Sequence, residues 1–143
     1  MSEAERDAFL AEQRTCRVAT TGPDGPHATP LWYVWDGDAL WLYSIVRSRR
    51  WADLQRDPRV GAVIDAGTDY LELRGVEITG RAEVVGEVPR TGEPHAALER
   101  VEAAFASRYF PGADGMYHDQ RHAWLRVVPD KITSWDFRKI AVT

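Results

Sequence analysis

Along this chain the hydrophobic positions recur mostly at every second residue, with a few stretches of period three to four, a pattern that predicts a strand-rich fold carrying short helices. Ser2 and Glu5 stand at capping-box spacing and neither Gly nor Pro follows through Gln13, so the chain should open with a short helix that ends before Cys16. Arg17–Thr21 reads as a strand, Gly22-Pro23-Asp24-Gly25 as a turn, and His27–Trp35 as the returning strand. Asp36-Gly37-Asp38 then leads into a third strand, Ala39–Ser44. Trp51 and Leu54 mark a short helix from Ser48 to Arg56, closed by Asp57-Pro58. Val60–Ala66 is a further strand, followed by one long extended segment, Tyr70–Val85, whose alternation slips at Gly75 and predicts a bulge there. Leu98, Val101, Phe105 and Tyr109 share one face of a helix expected from Pro94 to Tyr109. Phe110–Gln120 is loop-like, and Ala123–Val128 and Lys131–Trp135 are strands separated by Pro129.

The strands around residues 31–43 are apolar on both faces: Leu31, Tyr33 and Trp35 oppose Trp32 and Val34, and Leu40 and Leu42 oppose Trp41 and Tyr43. An antiparallel sheet usually leaves one face to water, so one face should fill a barrel interior and the other should meet a helix, a partner subunit or a planar ligand. Many short strands without βαβ alternation point to a small, mainly β, closed or split barrel with flanking helices and argue against a Rossmann domain. With 143 residues, 44% hydrophobic and 28% charged, the chain fits a single folded domain over residues 1–143. Its net charge of −4 argues against sequence-independent nucleic-acid binding. The lack of an apolar run long enough to span a bilayer, and of a basic-then-apolar leader, leads to the expectation of a cytoplasmic protein with no membrane span. The single cysteine, Cys16, reads as a small buried apolar residue.

Against that acidic background, Arg47, Arg49, Arg50, Arg56 and Arg59 fall within thirteen residues beside only Asp53 and Asp57, a local charge of +3. Arg47, Arg49 and Arg50 flank Ser48, the best N-cap candidate of the short helix, so guanidinium groups, a hydroxyl and free backbone N–H groups can converge on an anion such as phosphate. A solvated basic face is the alternative reading. Pro30 belongs where its missing N–H is not needed, leaving backbone against which a flat ring can lie.

Arg17 to Thr21, Gly22 to Pro26, Pro30-Leu31-Trp32, Tyr43-Ser44, Ser48-Arg49-Arg50, Arg56-Asp57-Pro58-Arg59-Val60 and Ser134 to Lys139 together resemble the pyridoxamine 5′-phosphate oxidase-like split β-barrel superfamily, and within it the B branch of flavin/deazaflavin oxidoreductases. The resemblance implies a six- to seven-stranded antiparallel split barrel of the FMN-binding type. It also implies a homodimer with F420, or alternatively FMN, held at the interface. By motif position Ser48, Arg49 and Arg50 would hold the cofactor phosphate, with Pro30, Leu31 and Trp32 along the ring. Tyr43 and Ser44 would touch the ribityl chain and phosphate, and Trp135, with Arg138 or Lys139, would arrive from the partner chain. Arg47 and Arg56 are candidates for the anionic tail of F420. No Arg-x-His pair follows Trp124, so oxidation of pyridoxine phosphate is not expected. Gly75 stands where FMN-dependent members tend to carry Gln, which favours F420.

The expected function is an oxidoreductase passing hydride between the cofactor and a small conjugated organic substrate, with no catalytic side chain assigned because the cofactor carries the chemistry. A non-catalytic cofactor carrier of the same fold is the alternative. His118 and His122, four apart around Asp119, have helical metal-ligand spacing, but Gly115 and the lack of apolar periodicity make them loop residues with no third ligand indicated. His27 and His95 read as surface residues.

Overall fold

The computed structural model describes residues 1–140. The capping box forms as expected: the Glu5 N–H donates to Ser2 Oγ at 3.1 Å, the Ser2 N–H donates to the Glu5 carboxylate at 2.7 Å, and helix α1 runs Glu3–Glu12. Seven strands follow, β1 (Cys16–Gly22), β2 (Gly25–Leu31), β3 (Tyr33–Trp35), β4 (Leu40–Ile45), β5 (Arg59–Ala66), β6 (Arg74–Val85) and β7 (His122–Asp136), with α2 (Arg49–Arg56) and α3 (Ala96–Tyr109) between them. All lie in one antiparallel sheet of order β2-β1-β5-β6-β7-β4-β3.

The expected strand His27–Trp35 is in fact two, broken at Trp32, and the sheet order gives the reason. β2 and β3 are the two outermost strands, yet Trp32 alone joins them. Two Cα steps span at most about 7 Å. The first and last strands must therefore converge, and the sheet curls into a half-barrel, consistent with the split barrel expected from the strand pattern.

The two apolar faces are filled as that curl requires. Tyr33, Leu40, Leu42, Val18, Ile64 and Leu125 belong to the interior cluster, closed at one end by Phe9 and Leu10 of α1. On the outer face Val34, Trp41 and Trp124 meet Leu98, Val101, Phe105 and Tyr109 of α3, the four positions predicted for one helix face. Helix α3 begins at Ala96 rather than Pro94, because exposed His95 is the N-cap, its Nδ1 accepting from the Ala97 N–H at 3.2 Å. Cys16 is fully buried and burial pushes its thiol up to about 12, consistent with an inert core residue.

Two expectations about the long strand are corrected. Tyr70–Glu72 form a single 3₁₀ turn, with the Tyr70 ring against Phe137, so β6 starts at Arg74. The bulge lies at Thr79/Gly80, not Gly75: Thr79 pairs with Lys131 and Gly80 with Pro129, leaving Asp130 of β7 as the extra residue. β7 consequently runs through Pro129 unbroken. Gly75 pairs in register with Trp135, and a Cβ there would sit 2.4 Å from Trp135 Cζ2 and 3.1 Å from the Ile64 carbonyl. Gly75→Ala is therefore expected to displace the Trp135 ring and to cost about 1–3 kcal/mol; an unchanged Tm with unchanged tryptophan fluorescence would contradict this contact.

Candidate functional site

Helix α2 presents Arg50, Trp51, Asp53 and Leu54 inward, so of three neighbouring arginines only one is buried. Arg50 is 8% exposed, and its contacts decide its character. Nε donates to Ser44 Oγ at 3.2 Å and Nη1 to Thr29 Oγ1 at 2.6 Å; no carboxylate among the described residues pairs with it. A buried guanidinium held only by neutral hydroxyls carries an uncompensated charge, and burial pushes its pKa below the ordinary value. Asp53, the nearest acid on the helix, is committed elsewhere, accepting from Thr20 Oγ1 at 2.8 Å and from Arg56 Nη2 at 2.9 Å. His27, expected at the surface, instead has its Nδ1 buried without a hydrogen-bond partner, 4.0 Å from Asp53.

Arg50 lines a cavity of about 460 Å³, within the range of small-molecule sites. Pro30, Leu31, Trp32 and Tyr43, all singled out in the sequence, line the same cavity. Trp32 is 42% exposed and stacks on Tyr109 of α3, with centroids 4.3 Å apart and planes 8° from parallel. Tyr43 is half-buried, its hydroxyl lacks a hydrogen-bond partner, and burial pushes the phenol well above its ordinary pKa, with the Asp119 and Glu102 charges adding to the effect. Ser44, bonded to Arg50 Nε, has its hydroxyl 3.5 Å from that of Ser48, which caps α2 by accepting the Trp51 N–H at 3.1 Å; neither serine lines the cavity.

The other arginines are placed differently. Arg47 and Arg49 are exposed, and Arg49 leans toward Asp24 on the β1–β2 turn at 3.8 Å. Arg56 is engaged by Asp53 and Arg59 by Asp57 at 2.7 Å. Trp135 does not line the cavity; it lies on Gly75 at the far end of the β6–β7 pair. Arg138 and Lys139 pair with Asp136 and Glu5, both at 2.7 Å.

The cavity also uses residues that the sequence reading did not assign. Phe105 and the 110–120 loop, with Phe110, Met116, Tyr117 and Asp119, form its outer wall, and His122 at the start of β7 completes it. A buried ion pair anchors that wall: Arg90 Nε and Nη2 reach the Glu102 carboxylate at 2.9 and 3.0 Å, and His118 Nε2 and Trp124 Nε1 reach it at 3.0 and 2.9 Å. Histidines 118 and 122 are thus drawn to different carboxylates, Glu102 and Asp119, and no group of three or more metal-ligating side chains occurs among the described residues.

Comparison with known proteins places this geometry in a family. The model of pyridoxamine 5′-phosphate oxidase matches residues 2–136. The conserved hypothetical protein Rv2991 of Mycobacterium tuberculosis is similar at 35% identity and a TM-score of 0.79, covering 100% of this chain and 92% of its own. A putative pyridoxamine 5′-phosphate oxidase of Listeria innocua (22%, TM-score 0.68, covering 95% and 99%) and an F420 reductase (21%, TM-score 0.64, covering 89% and 94%) share the fold. A search of the curated proteins finds no match. Matched over nearly its whole described length and curled into the corresponding split barrel, the chain belongs to the pyridoxamine 5′-phosphate oxidase family.

Proposed function

We propose that this protein binds a phosphorylated flavin-type cofactor, F420 in preference to FMN, and uses it to reduce or oxidise a small conjugated organic molecule. The observation that carries this reading is Arg50, a buried guanidinium without a carboxylate partner, facing a cavity walled by aromatic rings. A phosphate beside Arg50 would supply the missing countercharge, and charge-assisted pairing of that kind is among the stronger polar contacts. Ser44 and Ser48 would support the phosphate from behind, and Pro30, Leu31, Trp32 and Tyr43 would lie along the ring and its linker. When bound, a flavin or deazaflavin supplies hydride chemistry; the chain supplies charge, orientation and exclusion of water.

Family membership supports this reading, and an F420 reductase shares the fold. A homodimer belongs to the proposal, since Trp135 could meet the cavity only from a second copy. Arg47 and Arg56 would be the candidates for an anionic tail, with exposed Arg49 beside them; Arg49 and Arg56 each also meet a carboxylate, Asp24 and Asp53. Cytoplasmic location is part of the same reading, alongside the finding that no helix among the described residues is long and apolar enough to cross a membrane.

The test is titration of the purified protein with FMN and with F420, followed by thermal unfolding. Tight binding of F420 with a concentration-dependent rise in Tm is expected, and oxidation of the reduced cofactor by quinones or enones separates enzyme from carrier. If neither cofactor raises Tm, the proposal fails.

A further inference from the structure

The cavity has a second polar pole. His122 Nδ1 lies 2.6 Å from Asp119 Oδ2, and the imidazole stacks on Tyr43 with centroids 4.8 Å apart and planes 16° from parallel. Asp119 is itself fixed: its Oδ1 accepts the backbone N–H groups of Arg121 and His122 at 2.9 and 3.2 Å. The ring is thus clamped by a carboxylate on one edge and a phenol on its face. The Nδ1–H is committed to Asp119, which leaves Nε2 as the free nitrogen, accepting in the neutral ring and donating in the cation. Both His122 and Asp119 line the cavity, and no hydrogen bond to Nε2 exists among the described residues.

We propose that His122, oriented by Asp119, is the proton relay for a ligand oxygen in this cavity. The inference deepens the oxidoreductase reading, and rests on it for the claim that the ligand is reduced. The titratable or charged groups around the imidazole include Asp119 and Tyr117 on the loop, Tyr43 on β4 and Arg50 of α2 on the same cavity wall; the charges of Glu102, Arg90 and Glu87 act on the Tyr43 phenol stacked on the ring, and the Arg90 backbone N–H donates to the His122 carbonyl at 2.8 Å. Reduction of a conjugated carbonyl requires a hydride at carbon, supplied by the reduced flavin or deazaflavin, and a proton at oxygen. As hydride adds at the β-carbon, the carbon–carbon π pair would become the enol double bond and the carbonyl π pair would move onto oxygen, where the Nε2–H bond of the His122 cation breaks and the enol O–H bond forms. The N–H electron pair stays on Nε2, Nδ1 keeps its proton toward Asp119, and solvent reprotonates Nε2. The substrate would gain one hydride, which carries both electrons, and one proton, a net addition of two hydrogens; a reduced flavin or deazaflavin, when bound, would supply the hydride and His122 the proton. In the reverse direction the neutral ring takes the proton from a hydroxyl.

This substrate class is a flat conjugated carbonyl, or its hydroxyl-bearing reduced form, short enough to place its oxygen at the His122 pole. Tyr43 and Phe105 supply the aromatic wall against which it would lie.

The relay can be read without any cofactor. 4-Nitrophenol is a flat phenol whose absorbance reports which partner holds the proton. In the wild-type protein the bound phenol is expected to ionise about one pH unit below the free phenol, a tenfold bias toward the phenolate–imidazolium pair. His122→Gln keeps Arg50 and the cavity but removes the proton acceptor, and should move the midpoint back toward that of the free phenol, leaving only what the Arg50 charge contributes. Asp119→Asn should give an intermediate midpoint, because the imidazolium loses its countercharge. Absence of a shift in the wild-type protein, or an equal shift in His122→Gln, overturns the relay. A normal nitrophenol shift with no binding of FMN or F420 overturns the redox reading instead, so the two failures are distinct.

Discussion

Arg50→Met is expected to weaken binding of F420 or FMN by about 2–5 kcal/mol, some thirtyfold to several thousandfold, while making the cofactor-free protein more stable. The two effects share one cause. In the free protein the guanidinium is 8% exposed and met only by Ser44 and Thr29 hydroxyls, so its desolvation is poorly offset. Methionine fills similar space without charge, and the two hydroxyls can rotate to other acceptors. Replacing an under-compensated buried charge by an apolar side chain of similar volume stabilises by about 1 kcal/mol or more, which for a chain of this size is roughly 4 °C in Tm. In the complex the phosphate loses its main cation and the sign reverses. Calorimetric titration and thermal unfolding of the same preparation check both halves. A variant that binds both cofactors like the native chain removes Arg50 from the site, and a lower Tm without cofactor shows that the hydroxyl contacts outweigh the buried charge.

Glu102→Leu is expected to be the most damaging single substitution outside the barrel interior, at about 3–5 kcal/mol. Its carboxylate receives Arg90, which is 3% exposed, together with the indole N–H of fully buried Trp124 and the ring of His118. Removing it leaves the buried Arg90 guanidinium with only the Glu87 carboxylate and the Glu93 carbonyl, both on Nη1, and strands the Trp124 indole donor at the same time. Urea unfolding measures the loss, and the double variant Arg90→Met/Glu102→Leu should recover part of it, because the under-compensated guanidinium is then gone, while Glu87 gives up its Arg90 contact. The same group gives an acid limb. Burial alone would raise the Glu102 pKa, but the hydrogen bonds from Arg90, Trp124 and His118, with the Arg90 charge, outweigh it and hold the carboxyl below the ordinary value of 4.5. Its contribution is therefore complete above pH 4.5 and is lost as pH falls through the lowered native value. Glu102→Leu should flatten that part of the pH–stability profile; an unchanged acid limb would assign it to other carboxylates.

Much of this architecture is local and so was legible in the sequence. Alternation, capping chemistry and Gly-Asp turns located α1, the β1–β2 hairpin, the apolar face of α3 and the 110–120 loop. What escaped depends on partners. A slip in the alternation of one strand does not reveal which strand holds the extra residue, so the pattern points to Gly75 while Asp130 of β7 carries the bulge. The break at Trp32 follows from β2 and β3 lying at opposite ends of the sheet order, which neither segment announces. Among the arginines helical spacing itself separates the three: Arg50 stands three and four residues before Asp53 and Leu54, on the buried face of α2, whereas Arg47 and Arg49 fall outside it. His118, Asp119 and His122 have metal-ligand spacing, yet their contacts are set by a turn around Asp119 and by Glu102 on the preceding helix α3.

The connection through Trp32 couples the cavity to the aperture of the barrel. Trp32 rests on Tyr109, whose hydroxyl accepts the Tyr33 N–H at 3.1 Å and donates to the Arg14 carbonyl at 2.7 Å. The indole that walls the cavity is thereby fastened to the point where one sheet edge becomes the other. An occupant wedged against it would press on a hinge shared by both margins and transmit its girth to the seam, so that the width of the guest and the openness of the host are set together.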